Sequence, residues 1–145
     1  EGLYVGIVCW DPDPEQLVVG VQHNDDDSRG SWLEDRLEVL FDPALERTRF
    51  IQFNVNSIGA KQDLSYPYNE TGYAWNASGE WAAGVGEDHW SAEALLHFGP
   101  DMPRPAQNDM WGANFVRCFR GQEFAQWTRT DAGPHPEQFG ILLFH

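Results

Sequence analysis

Strict alternation of side chains in two neighbouring segments is the feature that most constrains the fold of this chain. Residues 36–42 have the sequence RLEVLFD, and residues 49–56 have the sequence RFIQFNVN. A period of two is typical of a strand with two unlike faces. The short polar link between the segments predicts an antiparallel hairpin. Its apolar face is expected to enter the core through Leu37, Val39, Phe41, Ile51, Phe53 and Val55.

The second face of this predicted hairpin is polar. A turn centred on Leu45 predicts four cross-strand pairs, namely Val39 with Ile51, Leu37 with Phe53, Glu38 with Gln52, and Arg36 with Asn54. Carboxylate, guanidinium and amide groups each offer two fixed hydrogen-bonding positions, which suits them to sugar hydroxyls. A solvated outer face with a cross-strand ion pair is the alternative.

Similar short segments recur along the chain, separated by Gly, Pro, Asn and Asp. We predict strands at 3–10, 17–22, 36–42, 49–56, 81–86, 90–98, 111–120, 123–128 and 139–144. In the segment 90–98 the inward residues fit a strand better than a helix, so Leu96 and Phe98 are expected in the core. Many short strands predict an all-β sandwich or barrel. A long irregular loop is expected at 60–80, with Tyr66, Tyr68, Tyr73 and Trp75.

Composition limits the class of protein and its partners. A length of 145 residues favours one domain, residues 1–145. Acidic residues outnumber basic ones by 23 to 9, and the resulting net charge of −14 argues against nucleic acid and anionic membranes as partners. No apolar run has the length of a membrane span, and no signal peptide is visible. The chain begins inside a strand pattern, so we expect an N-terminal piece to precede it.

Cysteines and acidic clusters provide two further expectations. Cys9 and Cys118 lie in strand patterns among apolar neighbours, so we expect free buried thiols, with a disulfide as the alternative. Asp11 and Asp13 alternate in an extended turn restricted by proline, and residues 24–27 form a second acidic cluster. Calcium prefers carboxylate ligands on such loops, while a solvated acidic turn is the alternative.

Sequence motifs of catalysis are absent. The five histidines are scattered singly, and no metalloprotease, nucleophile-elbow, phosphate-loop or dinucleotide pattern occurs. A glycosidase could use any two carboxylates at a suitable separation, but nothing singles out a pair. We therefore expect that the chain is not an enzyme.

Two tryptophans lie where core residues are less expected. Trp32 follows the polar turn DDDSRGS, and Trp127 lies in the polar segment QEFAQWTRT. Two such rings facing each other would form a slot for a flat ligand with hydroxyls at its edge, such as a pyranose. Each ring face would remove about 100 Å² of apolar surface from water, which is worth about 2.5 kcal/mol at most.

The order of motifs along nearly the whole chain resembles that of carbohydrate-binding module family 9-like domains. The matching segments are LYVGIVCWDPDPEQL, LEDRLEVLFDP, FIQFNVNSIGAKQD, HWSAEALLHF, DMWGANFVR, EFAQWT and HPEQFGILLF. This resemblance implies a β-sandwich of two antiparallel sheets, immunoglobulin-like or jelly-roll-like. We expect it to lack the N-terminal strand that precedes LYV in that family.

The same resemblance implies roles for individual residues. Trp32 and Trp127 resemble the two clamp rings, Glu38 the acidic partner, and Gln52 and Arg117 further polar partners. The implied function is non-catalytic binding of plant polysaccharides such as cellulose or xylan, or of their sugar ends. The implied context is a domain tethered to a larger secreted or surface protein, extracellular or at the cell surface. A structural calcium is also implied, with Asp11 and Asp13 as its first expected ligands.

Two alternative functions belong to other classes. Related sandwiches hold haem b between their sheets for electron transfer, and here Met102 or Met110 with a distant histidine would have to supply the axial ligands. A structural spacer or sensor module without a sugar ligand is the other alternative.

Overall fold

The computed structural model describes residues 1–25, 33–131 and 133–145. Strands account for most of the regular structure in these residues, in the order β1 (Gly2–Trp10), β2 (Arg36–Asp42), β3 (Ile51–Asn56), β4 (Lys61–Ser65), β5 (Gly79–Val85), β6 (His89–His97), β7 (Met110–Phe119), β8 (Glu123–Gln126) and β9 (Gly140–Leu143). A one-turn helix, α1 (Glu70–Tyr73), follows β4, and 3-10 turns occur at Pro14–Gln16 and Pro136–Gln138. None of the described helices has the length and apolar character that crossing a membrane requires.

The strands form two antiparallel sheets. The smaller sheet has the order β1-β6-β5, and the larger has the order β4-β3-β2-β7-β8, with β9 also paired to β7. Side chains from one face of each sheet meet in a shared hydrophobic core. The expected β-sandwich of two antiparallel sheets is therefore confirmed.

Aromatic rings fill the centre of this sandwich. Phe41 lies within ring-contact distance of Phe53 and Trp111, at centroid separations of 6.3 and 5.7 Å. The predicted core residues Leu37, Val39, Phe41, Ile51, Phe53, Val55 and Leu96 are all buried. Phe98 is only half-buried and packs at the margin of the same cluster.

The hairpin register differs from the prediction by two residues. Glu38 pairs with Asn54 rather than with Gln52, and Arg36 pairs with Asn56. The connection is bent by Leu45 and Arg47, both with left-handed backbone at φ of 54° and 60°. Because the shift is an even number of residues, each side chain stays on its predicted face.

Two segments were assigned wrongly from the sequence. Residues 17–22 form no strand, because the side chains of Glu34 and Asp35 bind their backbone amides instead, as in the 2.8 Å bond from Val18 to Asp35. Strand β4 and helix α1 lie inside the predicted irregular loop 60–80.

Both cysteines are free and buried, as expected. Cys9 belongs to a cluster between the sheets with Leu37 and Trp90. Cys118 pairs with Arg36 across β7 and β2 and lies on the opposite face of the larger sheet. The two thiols are therefore separated by that sheet.

Candidate functional site

Polar side chains cover the face of the larger sheet that points away from the smaller one. Val39 and Phe41 point into the sandwich, so the alternate residues Arg36, Glu38 and Leu40 point outwards. The cross-strand register arranges this face in three rows, which are Asn56, Arg36, Cys118 and Phe124; then Gln62, Asn54, Glu38, Val116 and Gln126; then Leu64, Gln52, Leu40 and Asn114. We call this surface the polar face.

Most of the polar face is buried in spite of its composition. Every residue of β2 and β3 is buried on both sides of the sheet. At one end Phe50, Phe139 and Tyr68 pack against Leu40 and Val116 of this face and cover it. Buried polar groups are normally hydrogen-bonded. On this face the hydrogen bonds between side chains form two connected groups.

The first group is an ion pair between neighbouring outward positions of β2. Arg36 donates from Nε and Nη2 to Oε1 of Glu38, at 2.9 and 2.5 Å. The side chains are 2% and 10% exposed. Taking two charges out of water offsets most of their attraction, so a buried pair of this kind adds little stability over apolar residues. No described residue donates to Oε2 of Glu38, which leaves an acceptor at the more exposed member of the pair.

The second group is a chain of amides on the two neighbouring strands β3 and β4. Gln52 donates to Asn54 at 2.8 Å, and Asn54 donates to Gln62 at 3.0 Å. The Tyr68 hydroxyl donates to Oε1 of Gln52 and so continues the chain into the loop after β4. This bonding fixes the orientation of each amide, and connected polar networks of this kind are rigid.

Aromatic residues border one end of the polar face. Tyr66 stacks on Phe50 at a centroid distance of 4.9 Å, and Tyr68 stands edge-on to the same ring at 5.9 Å. Tyr73 lies 6.2 Å from Tyr68 and is 40% exposed. Burial, with the negative charge of Glu38, raises the pKa of Tyr68, so its hydroxyl stays protonated as the donor to Gln52.

The five predicted sugar-binding residues do not all lie together. Glu38 and Gln52 lie on the polar face, in adjacent rows. Arg117 and Trp127 lie on the opposite side of the same sheet, and Trp32 lies outside the described residues. The sugar-binding roles of all five stay a prediction, but one pocket on the polar face cannot include Arg117 or Trp127.

Arg117 and Trp127 both contact the sandwich side of β7. Trp127 continues the β7–β8 ladder through a 2.9 Å bond from its backbone amide to the oxygen of Phe115. Its ring lies 5.6 Å from that of Phe115 and remains 51% exposed, at the edge of the space between the sheets. The Arg117 guanidinium binds Asp11 and the backbone oxygen of Trp10.

The predicted calcium ligands Asp11 and Asp13 are engaged with other groups. The two carboxylate oxygens of Asp11 accept bonds from Arg120 and Arg117, each at 3.2 Å. Asp13 accepts a hydrogen bond from Gln16. Two guanidinium groups on Asp11 disfavour a divalent cation there, so this arrangement does not fit calcium. Nor do three His, Cys, Asp or Glu side chains form a metal-binding group within the described residues.

Sequence reasoning missed part of the polar face because it missed β4. Gln62 completes the amide chain from that strand, and Tyr68 caps it from the following loop. The segment KQDLS has a single large apolar residue, Leu64, so its periodicity is too weak to indicate a strand. The only sequence signal for β4 was its period of two, which places Gln62 and Leu64 on the same face.

Comparison with solved structures identifies this architecture. A family 9 carbohydrate-binding module from Caldicellulosiruptor kristjanssonii in complex with glucose matches 99% of this chain and 71% of its own, with a TM-score of 0.66 and 15% sequence identity. The chain has the fold of a family 9 carbohydrate-binding module. The complex of such a module from the same organism with cellotriose matches 99% of this chain and 69% of its own, with a TM-score of 0.63 and 14% identity.

A protein from Bacteroides uniformis also shares the module fold, over 98% of this chain and 71% of its own, with a TM-score of 0.61 and 17% identity. No protein-family model matches the sequence, and neither does any curated protein. At these identities the similarity establishes the fold. Which ligand is bound depends on the side chains that this chain places on it.

Proposed function

We propose that this domain binds carbohydrate, without catalysis, on the polar face of its larger sheet. The observation that carries the proposal is the buried Arg36–Glu38 pair set among oriented amides, on a sheet face where apolar packing would give equal or better stability. The comparison structures support it, because modules of the same fold were solved with glucose and with cellotriose.

The proposed contact point is Glu38. Its Oε2 accepts a sugar hydroxyl, while Arg36 holds the carboxylate in place through Oε1. Such a charge-assisted bond is stronger than a bond between neutral groups. The amide chain on the neighbouring strand β3 keeps Gln52 and Asn54 in fixed orientations, so these side chains lose little conformational freedom when the ligand binds.

Aromatic side chains at the border of the polar face supply the apolar contact. Tyr66 and Tyr73 are 37% and 40% exposed, and each lies beside Tyr68, whose hydroxyl is bonded to the amide chain. Sugars are amphipathic, with C–H groups that pack on a ring face and hydroxyls that need hydrogen-bonding partners. Trp32 is proposed as a further ring, on the strength of its position six residues before Glu38 in the sequence.

We further propose neutral plant polysaccharides, or their sugar ends, as the ligand. The net charge of −14 and the central Glu38 disfavour anionic polymers. The corresponding biological role is that of an appendage that holds a larger secreted or cell-surface protein on its substrate.

The haem alternative loses support from the core. Met102 packs in the central cluster with Trp111, and the space that a porphyrin would need contains aromatic side chains. Met110 is 51% exposed, and none of the five histidines is buried. The absorption spectrum of the purified protein tests this directly, since a Soret band would require a haem site.

A glycan array followed by titration calorimetry tests the proposal. We expect a neutral oligosaccharide to bind, and Glu38→Gln to weaken that binding by about 1–2 kcal/mol, which is roughly five- to thirtyfold. Tyr73→Ala is a second variant at the border that leaves the ion pair intact, and a smaller loss is expected. Trp127→Ala serves as the control on the opposite face. Unchanged binding by both polar-face variants, with folding verified by circular dichroism, would exclude this site.

A further inference from the structure

On the outer face of the smaller sheet, far from the polar face, a row of exposed apolar side chains follows β1. On β1 the outward positions are Tyr4, Gly6, Val8 and Trp10. Tyr4, Val8 and Trp10 are 60%, 52% and 67% exposed. A sheet face in contact with water normally carries polar side chains. This row therefore differs from a simple solvated surface, and none of its three large side chains enters a core cluster.

Most side chains on the sheet surface between Tyr4 and Trp10 are small. Across the sheet Gly6 is followed by Glu93 and Ala82, and Val8 is followed by Ser91 and Gly84. Two glycines and an alanine leave no bulky side chain in this strip apart from Glu93 and Val8. The result is a shallow trough with an aromatic residue at each end.

The Tyr4 side chain lies along this trough. A Cβ atom on Gly6 would be 3.4 Å from Cε1 of Tyr4, so the ring extends over the glycine. Its hydroxyl lies beside the carboxylate of Glu93, and this contact raises the pKa of Tyr4. One ring face is therefore held against the sheet, and the other is open to solvent.

At the other end, Trp10 lies opposite His89 with a ring separation of 5.4 Å. Along a strand, the six residue-to-residue steps from Tyr4 to Trp10 span about 20 Å, which is the length of an oligosaccharide of several sugars. Between the rings, Glu93 and Ser91 offer polar groups at alternate positions of β6.

We propose that this face is a second carbohydrate-binding surface, for an extended neutral polysaccharide chain lying along β1 between Tyr4 and Trp10. The two rings pack against sugar faces, and Glu93 and Ser91 accept hydroxyl hydrogen bonds between them. Charge favours a neutral polymer, because Glu93 and Glu80 share this face of a chain with net charge −14. This surface is separate from the polar face and does not depend on the site proposed there.

Binding of the full chain to microcrystalline cellulose and to soluble xylan, measured by pull-down and affinity electrophoresis, tests this inference. We expect the double variant Tyr4→Ala/Trp10→Ala to lose at least tenfold in affinity for one of these polymers. Tyr4→Phe keeps the ring and should retain most of the binding. Ile58→Ala, in the turn between β3 and β4, is the control for loss of an exposed apolar side chain elsewhere, and the acidic polymer polygalacturonate should not bind.

Failure of this proposal can be distinguished from failure of the polar-face site. Glu38→Gln should weaken binding of a short oligosaccharide and leave the contribution of Tyr4 and Trp10 to polymer binding unchanged. Polymer binding that is absent, or equal in wild type and double variant, would overturn the second surface. A wild-type dimer in size-exclusion chromatography that the double variant abolishes would assign the face to a second copy of the chain, and would also overturn it.

Discussion

Replacing Trp127 by alanine separates two roles for this ring. The ring packs on Phe115 and lies directly over Gly140, where an added Cβ would be 2.7 Å from Cζ3 of the tryptophan. About half of the side chain is buried, since 51% of the residue remains exposed. A tryptophan buries about 150–250 Å² when covered, so roughly 100 Å² is at stake here, worth about 2.5 kcal/mol.

We therefore expect Trp127→Ala to lower the free energy of unfolding by about 2.5 kcal/mol and the melting temperature by roughly 8 °C. Binding of a short oligosaccharide to the polar face should not change, because Trp127 lies on the other side of the sheet. Urea unfolding followed by far-ultraviolet circular dichroism measures the first quantity, and titration calorimetry measures the second.

Gly140→Ala provides a matched variant for the packing argument. Its new methyl group would displace the Trp127 ring and press on Thr128, whose Cγ2 would be 2.8 Å away. In the Trp127→Ala background part of that conflict disappears, so the two destabilisations should not add. Loss of oligosaccharide binding by Trp127→Ala, with stability within about 0.5 kcal/mol of wild type, would refute this reasoning and favour the tryptophan clamp.

Two further predictions concern the thiols and the acidic turn. Burial raises the pKa of Cys9 to about 11. The thiol's contribution to the free energy of unfolding should therefore be fully present below the ordinary thiol pKa and should be lost as pH rises towards 11. Denaturation curves of Cys9→Ala should show a smaller loss of stability over this pH range, and an unchanged pH dependence would count against this explanation. Because Arg117 and Arg120 hold Asp11, the melting temperature should be the same with and without a strong chelator, whereas a marked decrease would reveal a bound ion.

How far the sequence predicts this fold depends on how strongly each segment alternates. Strands β2 and β6 carry apolar residues at every second position, and their inward faces follow from that pattern alone. The hairpin register does not, because it depends on the left-handed turn residues Leu45 and Arg47, which are neither glycine nor asparagine. Residues 17–22 look like a strand by composition, but the carboxylates of Glu34 and Asp35 bind their amides.

The candidate site was predictable only in part. Glu38 and Gln52 share an outward face because both occupy even positions in alternating strands, and this needs no knowledge of register. The resemblance to family 9-like domains implies that Trp127 lies beside them, and its polar flanking residues agree with an exposed ring. The structure instead continues its strand opposite Phe115, on the inward face. Which face a residue near a strand end takes depends on pairing between distant segments, and single-sequence patterns do not contain that information.

Side-chain amide resonances provide the most direct test of a sugar site on the polar face. In two-dimensional ¹H–¹⁵N spectra of the labelled chain, titration with the oligosaccharide that binds best should shift the NH₂ signals of Gln52, Asn54 and Gln62 together. The three are linked in one hydrogen-bonded chain, so a ligand at Glu38 must perturb them. Saturable binding that leaves these signals unmoved would contradict the account.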